Sequence, residues 1–392
     1  MHIQEVFHMQ RNMLLSVFLA VLMAASAAEA QTMRGAFIEF GGSGWATPPV
    51  GLGHIGDIYR TSQGEFPTPI GTNLRNSSNM EPVVVGAKEK LFWHARGGYV
   101  NSGAIGFQGS FYRSVGSGDT SGQVTTPSGS GSFFNGFQTW TFVPVAVNRF
   151  QPGGRSPVDY AGDAGLEIMK GGGSLLWNMV DANQARAGLM VGLSAIRSRS
   201  TQTIRIDQEG FLPEPRNLNN GLWDQVTFFS TGTAEGTMVG PEIGSFFDVH
   251  ASDRISIGGQ LSLTFPTWGR ITESGEWAAR EQFRVGLGSP GVVPSHGPIV
   301  STVDTIVPFD TSRRTGEDKR MLITDASVAV GYRMFNGCLE LGVGAFVSRI
   351  DNLIHAPTWT IDVGAPLAAS RWELNLKPVM MINTLITAKA RF

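Results

Sequence analysis

The sequence has one cysteine, few charged residues and no long apolar run after its first thirty residues. Cys338 is the only cysteine among 392 residues, so no disulfide can form within the chain. Beyond Gln31 no stretch reaches the roughly 20 apolar residues that a membrane-spanning helix needs. Charged residues make up 16% of the chain, and without residues 1–30 it carries 29 basic and 30 acidic side chains. This near balance gives no reason to expect nucleic acid as a partner.

Motifs for catalysis and metal binding are also missing. Five histidines follow residue 31, and none pairs with another histidine or with the cysteine at a spacing suited to zinc. The sequence contains no G-x-S-x-G, no H-E-x-x-H and no phosphate-binding loop. We therefore predict no enzyme activity, no metal and no cofactor.

Residues 1–30 have the pattern of a secretory signal peptide. Arg11 is basic, Met13 to Ala25 is apolar, and Ala28-Glu29-Ala30 supplies small residues for a peptidase. The alternative is a membrane anchor, but the uncharged stretch is barely long enough to span and ends in Ala and Ser. We predict cleavage before Gln31. Because the residue immediately after that site is Gln31 and not a cysteine, lipoprotein anchoring is excluded.

The composition favours an all-β fold for residues 31–392. The chain has 50 glycines, and each glycine weakens a helix by about 1 kcal/mol relative to alanine. Its aromatic and apolar content is too high for disorder. A helical bundle and a disordered chain are therefore both disfavoured.

The last segment shows the strand pattern most clearly. One parity from Met380 to Phe392 is apolar or small, and the other carries Asn383, Thr387, Lys389 and Arg391. Successive strand residues point to opposite faces, so this strand has one apolar and one wet side. It ends on the aromatic Phe392, which is typical of the assembly signal of bacterial outer-membrane barrels.

Short turns alternate with long connections along the chain. Tight turns are predicted at 101–103, 181–183, 251–253 and 336–337, and long extracellular loops at 43–82, 115–158, 204–222, 272–317 and 352–378. This rhythm is typical of a transmembrane antiparallel up-and-down β-barrel. We count about ten strands, near 34–42, 88–100, 103–113, 161–179, 185–203, 226–249, 254–271, 320–335, 338–351 and 379–392. The stretch 137–147 is also β-like and is assigned to a loop over or inside the barrel; twelve strands is the alternative.

Several glycine-aromatic segments resemble β-barrel porin family 7, a planctomycete-type family of outer-membrane barrels formerly classed as a domain of unknown function. The segments are 95–99 (ARGGY), 105–111 (IGFQGSF), 189–193 (LMVGL), 239–244 (VGPEIG), 330–333 (VGYR) and the closing strand to Phe392. The resemblance covers most of the chain after residue 31 and contains no catalytic motif. It implies a porin-like outer-membrane protein with an undefined substrate.

Charged residues on the wet parity of the strands are predicted to face the lumen. They are Glu39, His94, Arg96, Lys170, Arg186, Glu242, Asp248, Asp325, Arg333, Glu340, Lys389 and Arg391. In an open pore they would set selectivity through their field. Alternatively they pair with each other and fill the lumen, since a ten-stranded barrel is little wider than the eight-stranded barrels that side chains fill.

Three functions are compatible with this reading. The first, which the sequence favours over the other two, is a porin-like outer-membrane barrel that forms a narrow channel for small solutes or ions. The second is a structural or adhesive barrel with a filled lumen, whose surface loops bind partners. The third is an outer-membrane hydrolase using His296 with Asp304 and Asp310. In each case the expected partners are outer-membrane lipid and the barrel assembly machinery, and the oligomeric state stays open.

Overall fold

The computed structural model describes residues 35–43, 52–61, 80–86, 89–100, 105–124, 130–134, 139–142, 157–181, 184–214, 217–287, 295–314, 321–360 and 371–392. The predicted signal peptide, the turn at 101–103 and most of the turn at 181–183 lie outside these ranges. Among the described residues, no helix is long and apolar enough to cross a membrane.

The described residues form sixteen strands and one short 3-10 turn at Phe335–Gly337. The strands are β1 (Gly35–Ser43), β2 (Gly53–Thr61), β3 (Met80–Val85), β4 (Glu89–Val100), β5 (Ile105–Val124), β6 (Ser130–Phe134), β7 (Thr139–Phe142), β8 (Val158–Asp181), β9 (Ala185–Glu214), β10 (Asn217–His250), β11 (Ile255–Thr264), β12 (Trp268–Leu287), β13 (Ser295–Arg314), β14 (Leu322–Met334), β15 (Leu339–Thr360) and β16 (Arg371–Arg391).

Ten of these strands close into a ring. Around the ring the order is β1, β4, β5, β8, β9, β10, β11, β14, β15 and β16, and β16 pairs again with β1. All neighbours are antiparallel. A closed ring satisfies every backbone group of its strands, which is what allows strands to cross a bilayer. The predicted antiparallel barrel of ten strands is confirmed.

The first and last strands close the ring at the carboxy-terminus. Phe37 lies opposite Arg391, and the backbone N–H of Phe392 donates to the carbonyl oxygen of Ala36 at 2.9 Å. Gly35 has a φ of 109°, and a Cβ there would lie 2.3 Å from the Phe392 carbonyl oxygen. Only glycine fits this position, because the backbone conformation and the close approach both exclude a side chain.

The barrel wall has an apolar belt on its outer face. On β9, Leu189, Val191 and Leu193 are exposed, whereas Met190 and Ser194 are buried inside. Farther along the same outer face the apolar residues give way to arginines at positions 197, 199 and 205. Exposed aromatic residues border the belt, with Tyr99, Trp177 and Tyr332 near the termini and Trp268 near the opposite edge. A belt of this kind, with aromatic girdles, is what a membrane-spanning barrel presents to lipid.

The wall continues far beyond this belt. β9 has 30 residues and β10 has 34, whereas a tilted strand crosses a bilayer in about 9–11 residues. β12 prolongs β11, because both pair with β10 and the backbone N–H of Thr267 between them bonds to Val239 at 3.0 Å. β13 pairs with β12 above β14. We call the strand segments beyond the apolar belt, on the side away from Phe392, the upper extension.

Most of the predicted long loops are strand in the structure. The range 204–222 forms the ends of β9 and β10, and 272–317 forms most of β12 and β13. The range 352–378 contains the ends of β15 and β16. These segments were assigned to loops because their polar residues fall on both faces. In the upper extension water replaces lipid outside the wall, so outward residues there have no reason to be apolar.

A second, four-stranded sheet fills part of the upper extension. Its order is β3, β2, β6, β7, and its strands come from the two predicted loops 43–82 and 115–158. Leu52 and Ile55 are buried against the inner face of the wall, where a Cβ at Gly162 would touch the Ile55 side chain. The side-chain amide of Gln202 on β9 donates to the carbonyl oxygen of His54 at 2.6 Å. β7 is the described part of the β-like stretch 137–147, and it pairs in this sheet and not in the ring.

The largest apolar core of the described residues lies inside the upper extension. Buried residues of the small sheet pack there with the inner faces of β8, β9, β10 and β15. We call this cluster the upper core. Opposite walls meet in it: a Cβ at Gly236 on β10 would lie 2.7 Å from Ile354 Cδ1 on β15, and the Ala356 N–H donates to Ser200 Oγ on β9 at 3.0 Å. The barrel is therefore closed at this level by apolar packing.

Candidate functional site

The interior of the barrel contains three levels of charged and polar side chains. The lowest lies near the carboxy-terminus. Asp248 on β10 accepts hydrogen bonds from Lys389 at 3.1 Å and from Arg391 at 2.8 Å, both on β16. Arg391 also lies 3.6 Å from Glu340 on β15. These contacts span the lumen, because β10 and β16 are separated by at least three other strands around the ring.

Two further arginines occupy the same end of the barrel. Arg333 donates to Nδ1 of His250 at 3.1 Å. Arg186 donates through Nε to the Asn178 side chain at 2.9 Å and lies 5.0 Å from the ring centroid of Phe246. Guanidinium groups stack well on aromatic faces, so the contact with Phe246 orients Arg186 along the inner wall.

The middle level joins β1 and β4 to β11 across the lumen. Arg96 lies 2.5 Å from Glu39, and His94 lies 3.2 Å from the other oxygen of the same carboxylate. Arg96 also donates to the side-chain oxygen of Gln260 on β11 at 3.2 Å, and Gln108 on β5 donates to that oxygen at 3.0 Å. The side-chain oxygen of Gln260 therefore accepts hydrogen bonds from β4 and β5, on the opposite side of the lumen.

The highest polar level is built on a buried lysine. Lys170 on β8 lies 2.6 Å from Asp325 on β14 and 3.4 Å from Glu242 on β10. Ser194 on β9 donates to the second oxygen of Glu242. The Tyr112 hydroxyl lies 3.5 Å from Asp325 and 3.3 Å from Ser348 on β15. Six strands thus meet in one hydrogen-bonded group, directly below the aromatic contact between Phe92 and Phe346.

Two cavities lie between these levels. A cavity of about 90 Å³ lies between the middle and highest levels, lined by Glu39, Arg96, Lys170 and Asp325 among others. A second cavity of about 50 Å³ lies between the lowest and middle levels, beside Gln108, Asp248 and Arg391. Each is large enough for several water molecules. Above them the upper core closes the barrel.

The structure places all twelve charged residues predicted for the lumen on the interior side of the wall, and it brings most of them into contact. Their charges nearly balance, with five carboxylates against six lysines and arginines. Parity alone did not single out Gln108, Tyr112, Ser194 or Gln260 as partners, because they are uncharged. Their positions on the inward-facing parity of β5, β9 and β11 could have indicated that they line the lumen. Phe392, the predicted assembly signal, is exposed at the lower end.

The predicted hydrolase residues are not brought together. Asp304 binds Arg280 at 2.8 Å, opposite it on β12, and Asp310 lies opposite Ser274. His296 contacts the Glu209 carboxylate and lies beside Trp223, with the two rings tilted by 55° at a centroid distance of 4.7 Å. Eight residues of extended strand, roughly 26 Å, separate His296 from Asp304. Among the described residues, no three His, Cys, Asp or Glu side chains gather as they would around a metal ion.

His355 in the upper extension is expected to make this part of the protein acid-sensitive. Burial, helped by the nearby Lys377, lowers the pKa of His355 from 6.5 to about 4. Above pH 6.5 the imidazole is neutral in both the folded and the unfolded chain. As the pH falls toward 4, His355 becomes protonated in the unfolded chain but stays neutral in the folded one. The free energy of unfolding therefore decreases by up to about 3 kcal/mol.

We expect His355→Gln to remove this loss of stability between pH 6.5 and 4. The measurement is urea unfolding at pH 7 and pH 4.5, followed by tryptophan fluorescence. The wild-type chain should lose more stability than the variant on acidification. An equal loss in both would mean that other groups cause the acid sensitivity.

No protein-family model matches the chain, and no curated protein sequence matches it either. Solved outer-membrane barrels are similar in structure. The outer-membrane protease OmpT from Escherichia coli matches with 10% identity and a TM-score of 0.40, over 93% of this chain and 99% of that one. The toluene transporter TodX from P. putida matches with 9% identity and a TM-score of 0.25, over 94% and 91%. A FadL homologue from Pseudomonas aeruginosa matches with 10% identity and a TM-score of 0.20, over 92% and 90%. Likeness at this level carries no inference about activity.

Proposed function

We propose that this chain is an outer-membrane β-barrel with a filled lumen, and that it serves as a non-enzymatic structural or adhesive surface protein through its upper extension. The main support for this proposal is that side chains fill the lumen. Lys170, Asp325 and Glu242 join three strands across it, and the upper core lies above them. A solute would have to displace both to pass.

The arrangement of charges inside the barrel supports a filled lumen and not an ion-selective pore. A selective pore exposes rings of one sign to its solutes. Here nearly every interior carboxylate contacts a lysine or arginine from another strand, as Glu39 does with Arg96 and Asp248 does with Lys389. Paired charges of this kind cancel each other's field and hold opposite walls together.

The size of the upper extension supports a role outside the membrane. On β9 and β10 about two thirds of the residues lie beyond the stretch needed to cross a bilayer. This extension has its own apolar core and its own second sheet. A barrel that served only as a pore would need neither.

Several features support the outer-membrane location. The apolar belt fits lipid, residues 1–30 have the pattern of a signal peptide, and Phe392 ends the closing strand where the barrel assembly machinery would bind it. The resemblance to β-barrel porin family 7 is compatible with this location and stays a prediction. Recovery of the protein with soluble periplasmic contents would contradict it.

Planar-bilayer recording tests the filled lumen. We expect the purified barrel to give no conductance at any voltage, because the ion pairs and the upper core leave no continuous path. The preparation should first show heat-modifiable migration on gels, so that a silent bilayer reports a folded barrel. Stepwise single-channel currents would overturn the proposal and restore the narrow channel that the sequence favoured.

A further inference from the structure

β13 is an exposed edge of the extended sheet. Within the described residues it pairs with β12 alone, so the backbone groups on its other side have no strand partner. Four of its apolar side chains are exposed: Ile299 49%, Val300 60%, Val303 50% and Ile306 62%. Because this edge stands above the apolar belt, lipid does not cover these side chains. Long apolar edge strands of this kind are templates for pairing with another chain.

The sequence of this edge is symmetric in polarity about Val303. Residues 299–307 read Ile, Val, Ser, Thr, Val, Asp, Thr, Ile, Val, which is the same order of apolar and polar residues in both directions. If a second copy pairs antiparallel with Val303 opposite Val303, then Ile299 faces Val307 and Val300 faces Ile306. Ser301 faces Thr305, and Thr302 faces Asp304. Every position then meets a residue of its own polarity, and such cross-strand pairs are what stabilise a sheet.

The flanking residues limit the pairing to this segment. Pro298 and Pro308 stand immediately outside it, and proline cannot donate to a strand partner. Val300 forms a bulge against β12, so within this segment the regular strand runs from Ser301 to Val307, and pairing of residues 299–307 would form at most roughly eight to ten hydrogen bonds between the two chains. The segment has no lysine or glutamate that would oppose association, and its one charge, Asp304, is already paired with Arg280. The two Asp304 carboxylates would lie diagonally, about 7–8 Å apart.

We infer that β13 is a self-association edge, and that two copies of this chain join through antiparallel pairing of residues 299–307 about a two-fold axis at Val303. This inference rests on the proposed surface role and names its partner as a second copy. An antiparallel pair within one sheet is related by a two-fold axis perpendicular to that sheet. Because the barrel wall stands upright in the membrane, this axis lies parallel to the membrane plane. The second copy is therefore inverted, and it belongs to a facing membrane.

Single cysteines test the pairing and its register. In full-length protein carrying Cys338→Ala, we compare Val303→Cys with Ile299→Cys under mild oxidation in detergent. In the inferred register the two Val303 positions are directly opposed, whereas the two Ile299 positions lie roughly 26 Å apart. Since Cα atoms more than about 7 Å apart cannot be bridged, we expect roughly tenfold more disulfide-linked dimer for Val303→Cys.

A mixture of two variants supplies the decisive control. Ile299→Cys and Val307→Cys should each stay monomeric alone and form a disulfide when mixed. Equal crosslinking of all three single variants would show random collision and overturn the inference. Crosslinking of Ile299→Cys with itself would show parallel neighbours in one membrane and overturn it as well.

Vesicles test the facing-membrane arrangement. Lipid vesicles that carry the barrel should cluster, and Val300→Lys with Ile306→Lys should abolish clustering because it places four ammonium groups in the interface. Ser274→Lys, on the exposed outer part of β12, is the matched control and should cluster like the wild type. If the vesicles do not cluster and the bilayer shows no conductance, the self-association is disproved and the filled lumen still stands. If the bilayer conducts, the filled lumen is disproved. The two outcomes are therefore distinguishable.

Discussion

Lys170→Met should destabilise the barrel by about 3–5 kcal/mol, which is the usual effect of removing one partner from a buried ion pair. Lys170 is the cation of the highest polar level, and its loss would leave Glu242 and Asp325 buried together without a counter-charge. Both carboxylates are buried, with the upper core above them and only the polar cavity between the middle and highest levels below them. The measurement is urea unfolding of the barrel in lipid, scored by the heat-modifiable shift on gels.

Two further variants show whether the effect of Lys170→Met comes from the lost charge or from altered packing. Lys170→Met combined with Glu242→Gln and Asp325→Asn removes the uncompensated charges, and we expect it to recover most of the loss. Arg197→Met breaks an exposed pair with Glu235 on the outer face and should cost at most about 1 kcal/mol. If Lys170→Met were as stable as Arg197→Met, the polar level would not hold the walls together, and the argument for a filled lumen would lose its main support.

The ring of strands could be predicted from the sequence because each ring strand meets two different environments. On β11, Ile255 and Leu261 face lipid while Ser256 and Ser262 face the interior, and this alternation appears directly in the sequence. The lower turn at 336–337 was also predictable. Asn336 and Gly337 both have positive φ, as Asn-Gly turns between strands require.

The upper extension could not be predicted in the same way. On β13 residues 299–306 are all exposed, and on β12 the buried Glu273 is as polar as its exposed neighbours Thr272 and Ser274, so neither strand shows an alternation of apolar and polar residues. A period of two appears only where one face is buried and the other is not. In 352–378 the alternation is missing for another reason, since Leu353 to Pro357 are buried on both faces, and in 204–222 it is short and includes the buried polar residue Gln208. Length was the remaining signal, since connections of more than about 15 residues without structure are uncommon.

The interior contacts were predictable only in part. Parity assigned Lys170, Glu242 and Asp325 to the lumen but could not show that they meet. Lys170 and Asp325 are 155 residues apart in sequence, and their contact depends on how far successive strands are staggered around the ring. That stagger is the sum of the pairing registers between all neighbouring strands of the ring. No single strand contains it.

Phe228→Ala should open the upper extension while leaving the membrane-spanning ring intact. Phe228 is fully buried in the upper core, and its ring lies 5.9 Å from that of Trp277. Removing a buried phenylalanine costs about 3–5 kcal/mol. The ring below is held by lipid and by closed hydrogen bonding, so we expect this loss to appear as local opening of the upper strands.

Phe229→Ala is the matched control, one residue along the same strand. Phe229 points outward and is 37% exposed, so its loss should cost less than about 1 kcal/mol. Limited proteolysis measures the difference, because cleavage in the upper strands follows the population of the open form. A cost of 3 kcal/mol or more corresponds to roughly a hundredfold faster cleavage for Phe228→Ala, with each 1.4 kcal/mol giving a factor of ten. Equal cleavage of the two variants would mean that the upper core does not hold the extension, and the closure of the barrel would then rest on its ion pairs alone.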